Sequence, residues 1–61
     1  MAQKNQKVYV RGADGTEREL VLVRVAGQTA YVCPASRYLD AIRNPEAGIE
    51  VGFPVQDVRA A

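Results

Sequence analysis

The hydrophobic and polar pattern predicts three β-strands in the first half of the chain. Residues 7–11 alternate polar side chains with β-branched or aromatic ones, which fits a half-buried strand. The run from Leu20 to Val25 is the longest β-favouring stretch, and residues 29–33 form a third. Asp14-Gly15 separates the first two strands and Ala26-Gly27 separates the last two, so we predict a three-stranded meander.

The two turns also predict how the strands pair. A tight turn at the first site sets Val8 opposite Val21, and a two-residue turn at the second sets Val23 opposite Ala30. The central strand becomes apolar on both faces in its second half. Both faces of the sheet therefore need a cover at that point.

A helix is predicted at about residues 34–43, between the third and fourth strands. Apolar residues recur there at helical spacing and form one stripe: Ala35, Tyr38, Leu39 and Ile42. Pro34 suits the first helical position, and Asn44-Pro45 ends the helix. We expect the stripe to pack on the sheet, with Ala35 and Tyr38 as the residues that could instead contact a partner protein.

The last part of the chain predicts two more strands. Ile49, Val51 and Phe53 alternate with other residues and are expected to point inward. Residues 54–57 open with a proline and are expected to form a tight turn or a 3-10 turn. Val58-Arg59 then adds a short fifth strand.

The stretch from Val51 to Val58 resembles the end of the Src-homology-3-like (SH3-like) small β-barrels. In that family a strand closes with an aromatic or aliphatic residue and a proline, a 3-10 turn follows, and a short strand opens with valine. Phe53, Pro54 and Val58 match this frame. The resemblance implies a mainly β fold, a small five-stranded SH3-like barrel, to which the short α-helix at about 34–43 is an addition.

The peptide-binding chemistry of that family does not carry over to this chain. The family's groove uses a tyrosine before the final valine and a tryptophan, whereas Asp57 stands at the tyrosine position and the chain has no tryptophan. A flat aromatic groove for polyproline helices is therefore not expected. The same tail is weakly similar to type II dihydrofolate reductase, but Val51, Gly52 and Phe53 replace the Gln, Ile and Tyr of that family's folate-site stretch.

Length and composition limit the organisation of the chain. Its 61 residues predict one domain at 7–61, preceded by a disordered tail at residues 1–6. Cys33 is the only cysteine and there is no histidine, so neither an intrachain disulfide nor a zinc site with the usual ligands is expected. No cofactor motif is present, and no apolar run approaches the ~18 residues of a membrane span. The unpaired cysteine and the lack of an export signal predict a cytoplasmic protein.

The sequence favours a binding module over an enzyme. A core of this size without a disulfide or a metal gains stability from a buried partner surface. We therefore expect a non-enzymatic binding or adaptor module that acts through protein–protein contacts or through self-association. The alternative is a nucleic-acid-binding barrel with a basic strand face, although the net charge is only +1, from 8 basic and 7 acidic residues. The candidate nucleic-acid contacts are Lys7, Tyr9, Arg11 and Arg24.

Overall fold

A computed structural model describes residues 5–61, which form five antiparallel strands and one short helix. The strands are β1 (Lys7–Arg11), β2 (Glu17–Ala26), β3 (Thr29–Cys33), β4 (Val51–Pro54) and β5 (Val58–Ala60). The helix α1 (Tyr38–Arg43) lies between β3 and β4. The 3-10 turns are Ala35–Arg37, Pro45–Ala47 and Val55–Asp57. The predicted mainly β fold, with a helix between the third and fourth strands, is confirmed.

All five strands belong to one sheet in the order β4-β3-β2-β1-β5. Strands β4 and β5 are its two edges, and within the described chain they do not pair with each other. The observed pairing is therefore an unclosed sheet. The 3-10 turn Val55–Asp57, predicted from its leading proline, connects the two edge strands directly.

The first hairpin forms, but its predicted register is wrong by one residue. Val8 lies opposite Leu20 rather than Val21. The observed register places Arg11 opposite Glu17, which is a favourable pair of opposite charges on neighbouring strands.

The longer loop between β1 and β2 causes this shift. The N–H of Gly12 donates to the carbonyl of Thr16 at 2.8 Å, so the loop extends well beyond the two predicted turn residues. Asp14 holds the loop through its carboxylate, which accepts hydrogen bonds from the N–H and the hydroxyl of Thr16 at 3.1 and 2.7 Å. Gly15 adopts a φ of 86°, a conformation that glycine reaches without a steric penalty.

The predicted register of the second hairpin is also wrong. The turn lies at Gly27-Gln28, so Val25 rather than Val23 lies opposite Ala30. The register then shifts between Leu22 and Arg24, which leaves Val23 as a β-bulge. A bulge of this kind cannot be located from the alternation of residue types alone.

The central strand β2 separates two hydrophobic clusters. The larger cluster contains Val8, Val10, Leu22, Ala30 and Val32, with Leu20, Phe53 and Val58 packed against it. The smaller cluster contains Val23, Cys33 and Ala41, with Tyr38 and Ile49 packed against it. Both faces of β2 are covered at residues 21–23, as predicted, whereas residues 24–26 are exposed. Cys33 is buried in the smaller cluster.

The predicted stripe on the helix is wrong in phase. Ala41 and Tyr38 face the smaller cluster, whereas Leu39 and Ile42 are 57% and 47% exposed. The cause is the 3-10 turn at Ala35–Arg37, because three residues per turn rotate the following α-helix away from the phase expected for 3.6.

Two further expectations, one for the N-terminal tail and one for β4, differ from the structure. Residues 1–4 of the predicted tail lie outside the described residues, but Asn5 and Gln6 already hydrogen-bond to the backbone of Leu22, at 2.8 and 3.0 Å. Near β4, Phe53 packs inward as predicted, whereas Val51 is 53% exposed at the edge of the sheet.

Candidate functional site

The exposed face of α1 includes two apolar side chains, because of the way the helix packs on the sheet. The half-buried Tyr38 and the buried Ala41 hold the helix on the sheet. The helix ends at Arg43, and the N–H of the following residue, Asn44, donates to the carbonyl of Asp40 at 2.9 Å. Leu39 and Ile42 lie three residues apart and remain half exposed.

The predicted protein contacts on this segment take different positions. Ala35 is exposed in the 3-10 turn, whereas Tyr38 is half buried against the smaller cluster. The structure thus makes Leu39 and Ile42 the outward apolar residues of the helix. Sequence reasoning missed them because a continuous α-helix from Pro34 places them on the inner side.

A second apolar surface is a groove of about 470 Å³ beside β5. Its lining residues are Leu22, Val25, Gly27, Ala30, Val55, Val58, Arg59 and Ala60. Val25 and Val55 are 51% and 40% exposed at this groove, and Leu22 and Ala30 belong to the larger cluster. The groove is thus an opening into the core. A smaller cavity of about 210 Å³ lies near Arg18 and Phe53.

The candidate nucleic-acid face on β1 lies beside two acidic residues of β2, Glu17 and Glu19. Lys7, Tyr9 and Arg11 share one face of the strand, as predicted from their spacing. Tyr9 lies opposite Glu19 on β2, and the same carboxylate lies 4.0 Å from the ammonium of Lys7. Arg11 lies opposite Glu17. Of the two candidate cations on β1, Lys7 forms an ion pair, whereas Arg11 forms none within residues 5–61, because the Glu17 carboxylate is bound by Arg59.

Arg24, the fourth candidate, lies beyond the pairing of β1 with β2 and has different neighbours. Its guanidinium donates two hydrogen bonds to one carboxylate oxygen of Glu50, at 2.8 and 3.1 Å, and lies 3.9 Å from the centroid of the Tyr31 ring. The hydrogen bonds to Glu50 raise the pKa of Arg24 above its ordinary value. This arginine is engaged within the protein.

Arg59 forms an equivalent cluster at the other edge of the sheet. It donates two hydrogen bonds of 2.9 Å to the carboxylate of Glu17 and lies 4.9 Å from the centroid of the Tyr9 ring. These hydrogen bonds lower the pKa of Glu17 and raise that of Arg59. Sequence reasoning missed both Tyr–Arg–Glu clusters, because they depend on which strands are neighbours.

The described residues offer little material for covalent or metal chemistry. Burial raises the pKa of the Cys33 thiol, which keeps it protonated and a poor nucleophile. Among residues 5–61, no three His, Cys, Asp or Glu side chains gather closely enough to hold a metal ion. In the same part of the chain, no helix has the length and apolar character needed to cross a bilayer.

Comparison with protein-family models, with curated proteins and with solved structures found no match for this chain.

Proposed function

We propose that the protein is a cytoplasmic, non-enzymatic binding module of SH3-like topology that acts through protein–protein contacts. The proposed topology is supported by the strand order β4-β3-β2-β1-β5 and by the 3-10 turn between β4 and β5. A short 3-10 turn before a last strand that opens with Val58 is the frame on which the resemblance depends. The helix α1 is an addition to that frame.

The observation that carries the proposed function is the exposure of Leu39 and Ile42 on α1. A single exposed aliphatic residue is ordinary, but two on the outer face of a short helix form a continuous apolar strip. Covering such a strip with a partner removes apolar surface from water and lowers the free energy. A small domain without a disulfide would be stabilised by such a partner, because binding to the folded state raises its free energy of unfolding.

The nucleic-acid alternative has less support. Of the three candidate cations, Lys7 and Arg24 each have a carboxylate within 4.0 Å, so approaching phosphates would have to displace an existing ion pair there, whereas Arg11 forms no ion pair within residues 5–61. Affinity for nucleic acid depends on cations that are free to neutralise phosphates. Leu39 and Ile42 on α1 remain 57% and 47% exposed, and a partner could cover these two side chains without displacing an ion pair.

Photocrosslinking in the native cells tests the proposed function. A benzoylphenylalanine in place of Ala35, four residues before Leu39 and exposed, reports on any protein that covers α1. The same probe in place of Gln28, exposed in the β2–β3 turn, is the matched control. We expect a discrete protein adduct from position 35 only.

The adduct should disappear in the double variant Leu39→Lys, Ile42→Lys. Both residues are exposed, so this variant should keep its fold, which circular dichroism checks. An adduct that persists in the double variant, or no protein adduct at all, contradicts a binding function for α1.

A further inference from the structure

Charged residues alternate in sign along the segment that contains α1. At three-residue spacing the chain reads Arg37, Asp40, Arg43 and Glu46. Arg37 and Asp40 form an exposed ion pair at 3.4 Å. Arg43 and Glu46 have no ion-pair partner within residues 5–61.

This series is complementary to its own reverse. When a second copy runs in the opposite direction, Arg43 meets Asp40 of the second copy and Arg37 meets Glu46 of the second copy. The same two pairs recur with the copies exchanged. Every contact is then between opposite charges, because the series alternates in sign and its two ends differ in sign.

The apolar strip lies next to Asp40 and Arg43, the two members of the charged series that belong to α1. A two-fold axis between antiparallel helices keeps equivalent side rows together. It therefore brings Leu39 and Ile42 against their equivalents and leaves Asp40 and Arg43 side by side at the rim. Apolar residues at the centre and charges at the rim are the usual arrangement of an interface.

We propose that a second copy of this chain docks antiparallel on α1, buries Leu39 and Ile42, and pairs Arg43 of each copy with Asp40 of the other. This inference rests on the proposed function and names the partner. The helix has six residues, so the contact is smaller than the roughly 1,200 Å² of a stable specific interface. The dimer therefore exchanges with monomer and is populated only at high concentration.

A charge-reversal cycle on the full chain tests this pairing. Sedimentation equilibrium and NMR, from about 0.05 to about 1 mM protein, cover the range of weak association. We expect Arg43→Glu alone and Asp40→Lys alone to weaken the dimer by about three- to tenfold each, since two symmetry-related exposed pairs become repulsive. The combined variant Asp40→Lys, Arg43→Glu restores opposite charges at both contacts and should recover most of the wild-type affinity.

Leu39→Lys supplies the second measurement, and Val51→Lys is its matched control. Both residues are aliphatic and similarly exposed, at 57% and 53%, but Val51 lies on β4. We expect Leu39→Lys to abolish dimerisation and Val51→Lys to leave it unchanged. Concentration-dependent chemical shifts should be confined to residues 35–46.

Three outcomes would overturn the proposal. They are a protein that remains monomeric up to about 1 mM, a combined variant no tighter than the single ones, and shifts that also involve Val55 and Val58 in the groove. The last would indicate a head-to-tail contact. A photocrosslink to a protein other than this 6.6 kDa chain, with no homodimer, would keep the proposed function and reject this inference.

Discussion

The guanidinium of Arg59 donates two hydrogen bonds of 2.9 Å to the carboxylate of Glu17, although 42 positions separate them in the chain. Arg59 lies on β5 and Glu17 on β2, so the pair crosses β1, which lies between those strands. The same guanidinium lies 4.9 Å from the centroid of the Tyr9 ring on β1, which is within the range of a cation–π contact. An edge strand of only three residues is thereby attached to the centre of the sheet.

A double-mutant cycle measures this attachment. We expect Arg59→Gln and Glu17→Gln each to lower the urea midpoint of unfolding, and the double variant to lose less than the sum of the two. The effects should shrink in high salt, because both side chains are partly exposed. Arg37→Gln, which breaks an exposed ion pair next to the helix, is the control with the smaller loss. Strictly additive losses would show that the two residues do not interact.

The same pair makes stability depend on acid. The pKa of Glu17 is lowered in the folded protein by the hydrogen bonds from Arg59, so the carboxylate favours folding above its unfolded pKa. This contribution is lost as the pH falls through the folded pKa, below the ordinary glutamate value of about 4.3. Unfolding at a series of pH values should show a shallower acid loss in Glu17→Gln than in the wild type.

The control for the acid series is Glu46→Gln, which removes a carboxylate that has no ion pair within residues 5–61. Its pH profile should follow that of the wild type. Parallel profiles for wild type and Glu17→Gln would contradict the assignment. Asp14, whose pKa is lowered by its hydrogen bonds to Thr16, accounts for part of the acid loss that remains.

Gly52 gives the Tyr31 ring the room that it needs on β4. A Cβ at this glycine would lie 3.1 Å from the ring and 3.0 Å from the methyl group of Thr29. We expect Gly52→Ala to destabilise the fold by about 1 kcal/mol through overpacking. In a Tyr31→Ala background Gly52→Ala should destabilise the fold less, because the ring that the new Cβ would contact is absent. An equal cost in both backgrounds, measured by urea unfolding, would exclude the ring as the cause.

The sequence predicts the strands and the closing turn because those features are local. Alternation defines β1, the β-branched run defines β2, and Pro54 marks the 3-10 turn that follows β4. The predicted registers are wrong because they depend on where each turn closes. The carboxylate of Asp14 holds a longer loop before β2, and the second turn lies at Gly27-Gln28 rather than at Ala26-Gly27. The bulge at Val23 then shifts the rest of the β2–β3 pairing, without any change in the pattern of residue types.

The candidate site is less predictable for a related physical reason. One 3-10 turn at Ala35–Arg37 rotates the helix and moves Leu39 from the expected core face to solvent. Likewise the basic character assigned to β1 depends on the register, which brings Glu17 and Glu19 beside it. Surface chemistry of this chain is thus determined by pairing geometry, whereas its fold class is determined by local pattern.

Leu22 and Val25 on β2 both line the groove, but truncating the buried Leu22 should cost much more stability than truncating the exposed Val25. Leu22 is 2% exposed in the larger cluster, whereas Val25 is 51% exposed at the groove. We expect Leu22→Ala to cost about 2–5 kcal/mol, which is comparable with the entire stability of ~3–5 kcal/mol for a domain of this size. Val25→Ala should cost about 0.5 kcal/mol, as for ordinary surface sites. Similar losses in thermal unfolding would mean that the groove is closed in solution.

We expect the carboxylates beside the basic face to prevent binding to nucleic acid, and the dependence of any binding on salt tests this expectation. We expect fluorescence anisotropy with single- and double-stranded oligonucleotides to show no binding that depends on Lys7, Arg11 or Arg24. Glu19→Gln frees Lys7 from its acidic neighbour and should create weak binding that the wild type lacks. Its slope against the logarithm of salt should correspond to few phosphate contacts, at about −0.9 per phosphate on duplex DNA. Wild-type binding with a steep salt slope, lost in Lys7→Gln and Arg11→Gln, would establish the strand face of β1 as a nucleic-acid surface and would displace α1 as the leading functional site.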